Sequence, residues 1–245
     1  MTWTFHHKAV TTSTNADAHG AAAGHVFTAD LQTAGRGRLD HIWQSPAGEN
    51  LTFSAVLDVT ELDPLHTATL PLVAGLAVAD ALEPVLAGCV LALKWPNDVW
   101  VDGRKIAGIL CERAGDTVIA GIGVNVRQTR FPPTLATRAT SLAAHGVNLS
   151  PHDVLHSILS ALDRLLPIWR TQGFAALHGR FASRDYLKGK NVNIFRTDAD
   201  REPLTGLCTG VQPDGTLCVA GESVFAGEAH IHAFDAPTSV REQGR

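Results

Sequence analysis

Apolar positions run along this chain at two spacings, and the spacing changes where the elements change. The segment DPLHTATLPLVAGLAVADALEPVL is long, alanine-rich and apolar at most positions, which predicts a buried helix with Asp63 and Pro64 at its start. HVFTADL and LTFSAVLDV are shorter and rich in β-branched and aromatic residues, which predicts strands. Between them, QTAGRGRLDHIWQSPAGEN has no apolar period and reads as a long loop. VLALKW and VWV predict two more strands on either side of Pro96-Asn97-Asp98. Asp102-Gly103 is a two-residue hairpin signal, and Ala114-Gly115-Asp116 turns the chain into TVIAGIGVNV, so the middle of the chain reads as a sheet meander. Near the start, Thr12-Ser13-Thr14-Asn15 before ADAHGAAA predicts a helix N-terminus capped by Ser13 or Thr12.

Residues 151–182 read as helices interrupted near Pro167 and Gly173. The texture then changes: NVNIFR, LTGLCTGV, TLCVA and ESVFAG are short strands spaced by turns, with Pro213-Asp214-Gly215 as a hairpin connection. This predicts a small all-β barrel, a boundary near residue 185 and a frayed tail at PTSVREQGR.

Composition narrows the class. The 245 residues are 45% hydrophobic and 18% charged, which fits a folded soluble protein with one large and one small domain. A net charge of −4 argues against a protein built mainly to hold nucleic acid. No run is apolar enough to read as a membrane span, and the start MTWTFHHKAV lacks a signal-peptide pattern, so the cytoplasm is the expected compartment. Cys89, Cys111, Cys208 and Cys218 stand singly in mostly apolar runs and read as buried thiols. His6-His7, His41 and the His230/His232 pair have no Cys or carboxylate cluster at ligand spacing, so no structural metal site is expected around them.

Three segments carry candidate chemistry. In Gln32-Thr33-Ala34-Gly35-Arg36-Gly37-Arg38, glycines would let backbone N–H groups approach an anion while two guanidiniums supply charge. A solvated surface turn or an RNA-contacting loop could look the same. Lys94-Trp95-Pro96-Asn97-Asp98, with Lys105-Ile106-Ala107-Gly108 after the hairpin, suits a nucleotide and its metal, although Asn97 and Asp98 could simply make a turn. Gly121-Ile122-Gly123-Val124-Asn125 places glycines inside a strand, which signals either close approach to the backbone or a bulge.

Taken in order, STN, Q-x-x-GRGR-x-x-x-x-W-x-SP-x-G-x-N-L, KWPND, K-x-AGIL and GIG-x-N resemble the biotin protein ligases over residues 13–125. That resemblance implies an α+β fold: a mixed sheet flanked by helices, like class II aminoacyl-tRNA synthetases, with a small C-terminal SH3-like β-barrel. The corresponding division is a biotin- and ATP-binding catalytic domain over 1–185 and an SH3-like domain over 186–245. It also implies roles. Ser13, Thr14, Asn15 and Gln32 would lie near the ureido head of biotin, and Gly35, Arg36, Gly37 and Arg38 would close over the biotin carboxylate and ATP phosphates. Trp43 would cover the adenine; Asn97 and Asn125 would fall where the nucleotide is held; Lys94, Gly108, Gly121 and Gly123 would line the ligand site; and Lys105 would meet the carboxylate and α-phosphate.

The implied reaction uses ATP and Mg²⁺ to make biotinyl-5'-AMP, then passes biotin to a lysine of a biotin carboxyl carrier protein or domain. A carboxylate must meet the α-phosphate, and Arg38 and Lys105, with Arg36 and Mg²⁺, would offset the repulsion between the two anions. Asp98 would either orient or deprotonate the acceptor lysine or contact Mg²⁺. Many bacterial relatives carry an N-terminal helix-turn-helix domain, and with twelve residues before Ser13 a ligase without repressor activity is expected. No nucleic-acid or membrane partner is expected, and a homodimer is left open. Three rivals remain: a lipoate ligase, which would not be expected to show GRGR with KWPND; a biotin sensor, which would lose the charged residues; and a nucleic-acid binder, which would need a basic, aromatic barrel.

Overall fold

The computed structural model describes residues 2–39, 41–196 and 202–231. Its larger sheet has seven strands: β1 (Thr4–Thr11), β2 (His25–Gln32), β3 (Leu51–Asp58), β4 (Leu91–Lys94), β5 (Asp98–Val101), β6 (Arg104–Ala114) and β7 (Thr117–Val124). Their spatial order is β1-β2-β3-β7-β6-β5-β4. β1 runs parallel to β2 and every other pairing is antiparallel, so the sheet is mixed. The meander from β4 to β7 follows the turns read from sequence: Asp102 and Gly103 take φ of +48° and +74°, the left-handed conformation a tight hairpin requires. The strand β1 carried no clear sequence signal, because as an edge strand it exposes nearly all of its residues and has no buried alternation to reveal it.

The predicted long helix is two: α2 (Pro64–Ala68), capped by the Asp63 carboxylate on His66 N, and α3 (Leu70–Leu82). The 64–85 stretch is long and apolar enough to cross a membrane, but its buried face packs on the sheet and on α4 (Pro151–Gln172), as a core helix does. Each fully buried leucine, such as Leu70 or Leu76, contributes about 1.5–3 kcal/mol by leaving water. α4 passes through Pro167 without ending and stops at Gly173, whose φ is +73°. Buried Leu162, Leu165, Leu166 and Trp169 anchor it on both sides of the proline, so the expected interruption occurs only at the glycine. A short helix α5 (His178–Ala182) follows.

The two faces of the sheet have different fates. Phe53, Ala55 and Leu57 of β3 join α3 and α4 in the main core, whereas Val56 joins Ile119 and Ala18 of α1 (Thr14–Ala18) on the other face. This period-2 alternation explains why β3 is buried on both sides, and it turns Thr52 and Ser54 toward α1.

After residue 185 comes a five-stranded antiparallel sheet: β8 (Asn191–Phe195), β9 (Leu204–Val211), β10 (Leu217–Val219), β11 (Glu222–Val224) and β12 (Glu228–Ile231), in the order β11-β10-β9-β8-β12. Four of these match the runs read from sequence; β12 was not foreseen. Buried Val192, Ile194, Leu217 and Ala229 belong to the same core as the larger sheet, so apolar packing runs unbroken across residue 185. The tail expected to fray, and His232, lie outside the described residues.

Candidate active site

Three strands place small residues side by side on the face toward α1. Thr52 and Ser54 pair with Gly123 and Gly121, and Gly123 pairs in turn with Gly108. The absent side chains make a hollow floor. A Cβ at Gly121 would overlap the Asn15 carboxamide, one at Gly123 would overlap the Trp43 indole, and one at Gly108 would come within 3.1 Å of Lys105 Nζ. The strand glycines therefore mark close approach of side chains, not a bulge.

A polar chain crosses this floor. Gln32 Oε1 accepts from Thr14 N at 2.8 Å, so Gln32 satisfies a first-turn amide of α1 while Ser13 makes no capping bond. Ser13 or Thr12 was expected to cap the helix; Ser13 does hold the cap position, but its buried side chain lines a cavity instead of bonding the first turn. Ser54 Oγ lies 2.7 Å from Thr14 Oγ1 and 2.6 Å from Asn15 Oδ1. Asn15 Nδ2 donates to Glu112 Oε2 at 2.5 Å, and Arg36 Nη2 lies 3.0 Å from Glu112 Oε1. Ser54 and Glu112 were missed by the sequence reading. Alternation along β3 and β6 from their neighbours Thr52 and Gly108 is the signal that places both on this face.

The arginine loop folds back on itself. Arg36 bridges Ile42, Gly37 N donates to His41 O at 2.6 Å, and Trp43 N donates to Gly35 O at 3.0 Å. Here the glycines serve backbone approach within the loop: the Gly37 N–H is used on His41 and does not face an anion, and Gly35 packs against the Trp43 carbonyl without lining the cavity. Charge is supplied by side chains instead. Burial lowers the Arg38 pKa from its ordinary value, opposed by the carboxylates of Asp98 and Glu228, and Arg38 Nη1 donates to Gly227 O at 3.3 Å.

At the end of the β4–β5 hairpin, Lys94 and Asp98 pair across the strands, and the Trp95–Pro96 peptide between them is cis. Asn97 is pinned to β6, with its Nδ2 donating to Ile109 O at 2.7 Å and its O accepting from Ile109 N at 2.9 Å. Lys105 Nζ forms an ion pair with Asp98 Oδ1 at 2.5 Å. Burial lowers the Lys94 pKa below its ordinary value, with the Asp98 carboxylate opposing and the Lys105 ammonium reinforcing the shift. Trp43 Nε1 is buried with no hydrogen-bond partner, an orphaned donor within the site.

These groups surround two adjoining cavities. The inner one is lined by Ser13, Thr14, Asn15, Gln32, Arg36, Gly37, Arg38, Trp43, Lys94, Asn97, Asp98, Lys105, Gly108, Gly121 and Gly123. The outer one adds Asn125, Gln128, Arg130, Arg138 and His230. Trp43, Lys94, Asp98, Lys105 and Glu228 line both and so stand at the junction. Of the residues singled out from sequence, only Gly35 lines neither cavity. Asn125 lines only the outer one, and its Nδ2 is used on Thr140 O at 2.9 Å. The C-terminal strand β12 contributes Glu228, which had no sequence signal. Of the cysteines, Cys208 is buried and Cys89, Cys111 and Cys218 are half-buried, so the expectation of burial holds fully only for Cys208; none is in a disulfide.

Comparison with known proteins agrees with this geometry. A profile of the "Biotin/lipoate A/B protein ligase family" matches residues 8–128. The biotin--[acetyl-CoA-carboxylase] ligase of Mycobacterium tuberculosis is 34% identical over 234 residues, covering 91% of this chain and 86% of the relative. The bifunctional ligase/repressor BirA of Bacillus spizizenii is 33% identical and covers 85% of this chain, which spans 66% of that relative's length. The structure of the biotin protein ligase from Aquifex aeolicus in complex with biotin and ATP superposes with a TM-score of 0.81 at 30% identity, covering 93% of this chain and 98% of that one. The glycine floor, the arginine loop and the lysine–aspartate junction thus lie on a scaffold shared along nearly its whole length, and the chain belongs to the biotin/lipoate A/B protein ligase family.

Proposed function

We propose that this protein is a biotin protein ligase, forming biotinyl-5'-AMP from biotin and ATP and transferring biotin to one lysine of a biotin carboxyl carrier protein or domain. The observation that carries the reading is the pair of adjoining cavities with Lys94, Asp98 and Lys105 where they meet. A carboxylate entering from the inner cavity and a triphosphate entering from the outer one would come together at those lysines.

In this reading Ser13, Thr14, Asn15 and Gln32, which line the inner cavity, offer the donors and acceptors that a buried ureido group needs, and Ser54 and Glu112 behind them hold Thr14 and Asn15 in place. Trp43, lying over Gly108 and Gly123, forms the partition against which the adenine stacks. Lys105, held by Asp98, meets the biotin carboxylate and α-phosphate, where charge grows as oxygen attacks phosphorus. Arg38, partly desolvated, acts more strongly on the same anions than it would in water. Arg36, tied to Glu112, links closure of the loop to the biotin end of the site. Mg²⁺ fits as an ion carried in on the phosphates, with Asp98 and Glu228 as the carboxylates available on the wall; it would neutralise phosphate charge. Asn125, by holding Thr140, keeps the outer wall in place.

We further assign residues 1–185 to the catalytic domain and the sheet after it to an SH3-like domain, and we place the enzyme in the cytoplasm. The carrier domain supplies the acceptor lysine, and no part of the reading needs nucleic acid or a membrane. The test is intact mass spectrometry of an apo carrier domain incubated with the protein, biotin, ATP and Mg²⁺, beside an ATP-free control. The expected result is ATP-dependent addition of one biotin, lost when the acceptor lysine is replaced. Tight biotin binding without any biotinyl-AMP formation would instead favour a sensor.

A further inference from the structure

Behind the active site, three side chains from distant parts of the chain converge. Cys89 follows α3, Asp102 sits in the β5–β6 turn, and His145 ends a short 3-10 turn after Ser141. Their ligating atoms all lie within 4.8 Å of one another. Cys89 Sγ is 3.6 Å from His145 Nδ1, and Asp102 Oδ2 is 3.7 Å from the same nitrogen. An N–H···O hydrogen bond would be about 2.7–3.2 Å, so the carboxylate does not bond the ring directly. The two separations to the ring nitrogen instead resemble two edges of a tetrahedral zinc site, where Zn–S near 2.3 Å and Zn–N or Zn–O near 2.0–2.1 Å put ligands about 3.3–3.6 Å apart, and the third, within 4.8 Å, leaves the ion room to draw the ligands in.

The outward sides of the ligands are already held. His145 Nε2 is 2.9 Å from Thr140 Oγ1, which fixes the ring and leaves Nδ1 facing the cysteine. Asp102 Oδ1 accepts from Val90 N at 2.8 Å, which leaves Oδ2 facing inward. Partners that orient metal ligands in this way are the usual second half of a metal site. The His145 side chain is nearly buried, at 8% exposure, while that of Asp102 is 42% exposed, so an ion has a route in from solvent and water can complete the shell.

We infer that Cys89, Asp102 and His145 form a binding site for one divalent, thiolate-accepting cation of the zinc type, separate from the nucleotide site. Binding replaces the Cys89 thiol proton, which is released to solvent as the sulfur–metal bond forms, and no oxidant or reductant is involved. The ion clamps the β5–β6 turn to the segment that supports Lys105. Thr140, which orients His145, donates its N–H to Lys105 O at 2.9 Å and accepts from Asn125 at its own O, and Lys105 N donates to Arg138 O at 2.8 Å. The site is therefore structural, stiffening the wall behind the lysine.

The test uses the full chain, stripped of metal and free of nucleotide, titrated with Co²⁺ and then with Zn²⁺. One equivalent of Co²⁺ should produce a thiolate-to-cobalt charge-transfer band, which Zn²⁺ then removes, and Zn²⁺ should raise Tm with saturation at one equivalent. C89S should abolish the band, D102N should weaken Co²⁺ binding by tenfold or more, and C111S should leave it intact. Absence of the band in the wild-type protein overturns the proposal whatever the variants do. So does a band that survives C89S in a chain whose circular dichroism is unchanged.

Discussion

Asn15 donates from Nδ2 to Glu112 Oε2 at 2.5 Å, and through that one carboxylate the first turn of α1 is joined to the arginine loop. Removing the carboxylate takes away the closer of two acceptors for the Asn15 amide and leaves only the Leu110 carbonyl at 3.4 Å, which costs about 1–3 kcal/mol in this buried setting. Glu112→Ala should therefore weaken biotin binding by roughly tenfold or more. Glu112→Gln keeps an acceptor for Asn15 and loses only the half-exposed ion pair to Arg36, worth about 0–1 kcal/mol, so its loss should stay below about fivefold. Isothermal titration with biotin separates the two; equal losses would mean that the charge, not the acceptor, matters.

The glycine floor predicts a division of labour. In Gly121→Ala the added methyl displaces Asn15, whereas in Gly123→Ala it displaces Trp43. The first should raise the Kd for biotin with little change for ATP, and the second should do the reverse. Separate titrations of each ligand decide it, and a uniform loss in both variants would point to a damaged sheet instead.

Lys105→Ala should lose adenylate formation by about 10²–10³-fold, since on the proposed reading it removes a cation that would meet the developing phosphate charge. Biotin binding should weaken as well, since the same ammonium would meet the biotin carboxylate, but by far less than adenylate formation, and the chain should stay folded because Lys105 is one-third exposed. Pyrophosphate release is the readout. Near-normal turnover would move the reacting centre away from the Lys105–Asp98 pair.

Arg38→Ala should form biotinyl-5'-AMP but release it faster, because the loop loses its bond to the Gly227 carbonyl. Labelling of bystander lysines in a mixed-protein sample should rise with the escaped adenylate. Retention equal to wild type would argue that Arg36 alone holds the closed loop.

Lys94 carries a pH signature. Its folded pKa lies below 10.5 because burial disfavours the charged form, so the unfolded chain binds more protons between the two values. The cost of burying the charge is thus fully present below the folded pKa and is relieved as pH rises toward 10.5. Lys94→Met should raise Tm near neutrality, and its advantage should shrink as the buffer is moved into the alkaline range. A gap that widens with pH would reverse the sign of the argument.

Much of this arrangement was legible in the chain. The glycines at 121 and 123 signalled either close approach or a bulge, between which the structure decides for close approach, and Asp102-Gly103 signalled its hairpin by φ preference alone. Local chemistry of this kind is visible because its cause lies within a few residues. Glu112 and Ser54 were hidden: which face of a strand meets α1 is decided by register with distant partners. The strand β1 was hidden because an exposed edge has no apolar alternation, and Glu228 because its role depends on where β12 comes to rest. The Cys89–Asp102–His145 cluster was hidden for the same reason, since metal-ligand spacing in sequence is a sign only when the ligands share an element.

The contact between Arg38 and the Gly227 carbonyl, with Glu228 next to it on the cavity wall, bears on any attempt to engineer this enzyme. Residues after 185 cannot be treated as an exchangeable handle. On the proposed reading, a chimera that swaps in the terminal sheet of a relative also swaps one side of the chamber that would hold the anhydride. Its fidelity would then depend on whether the new segment brings a carbonyl and a carboxylate to the same two places.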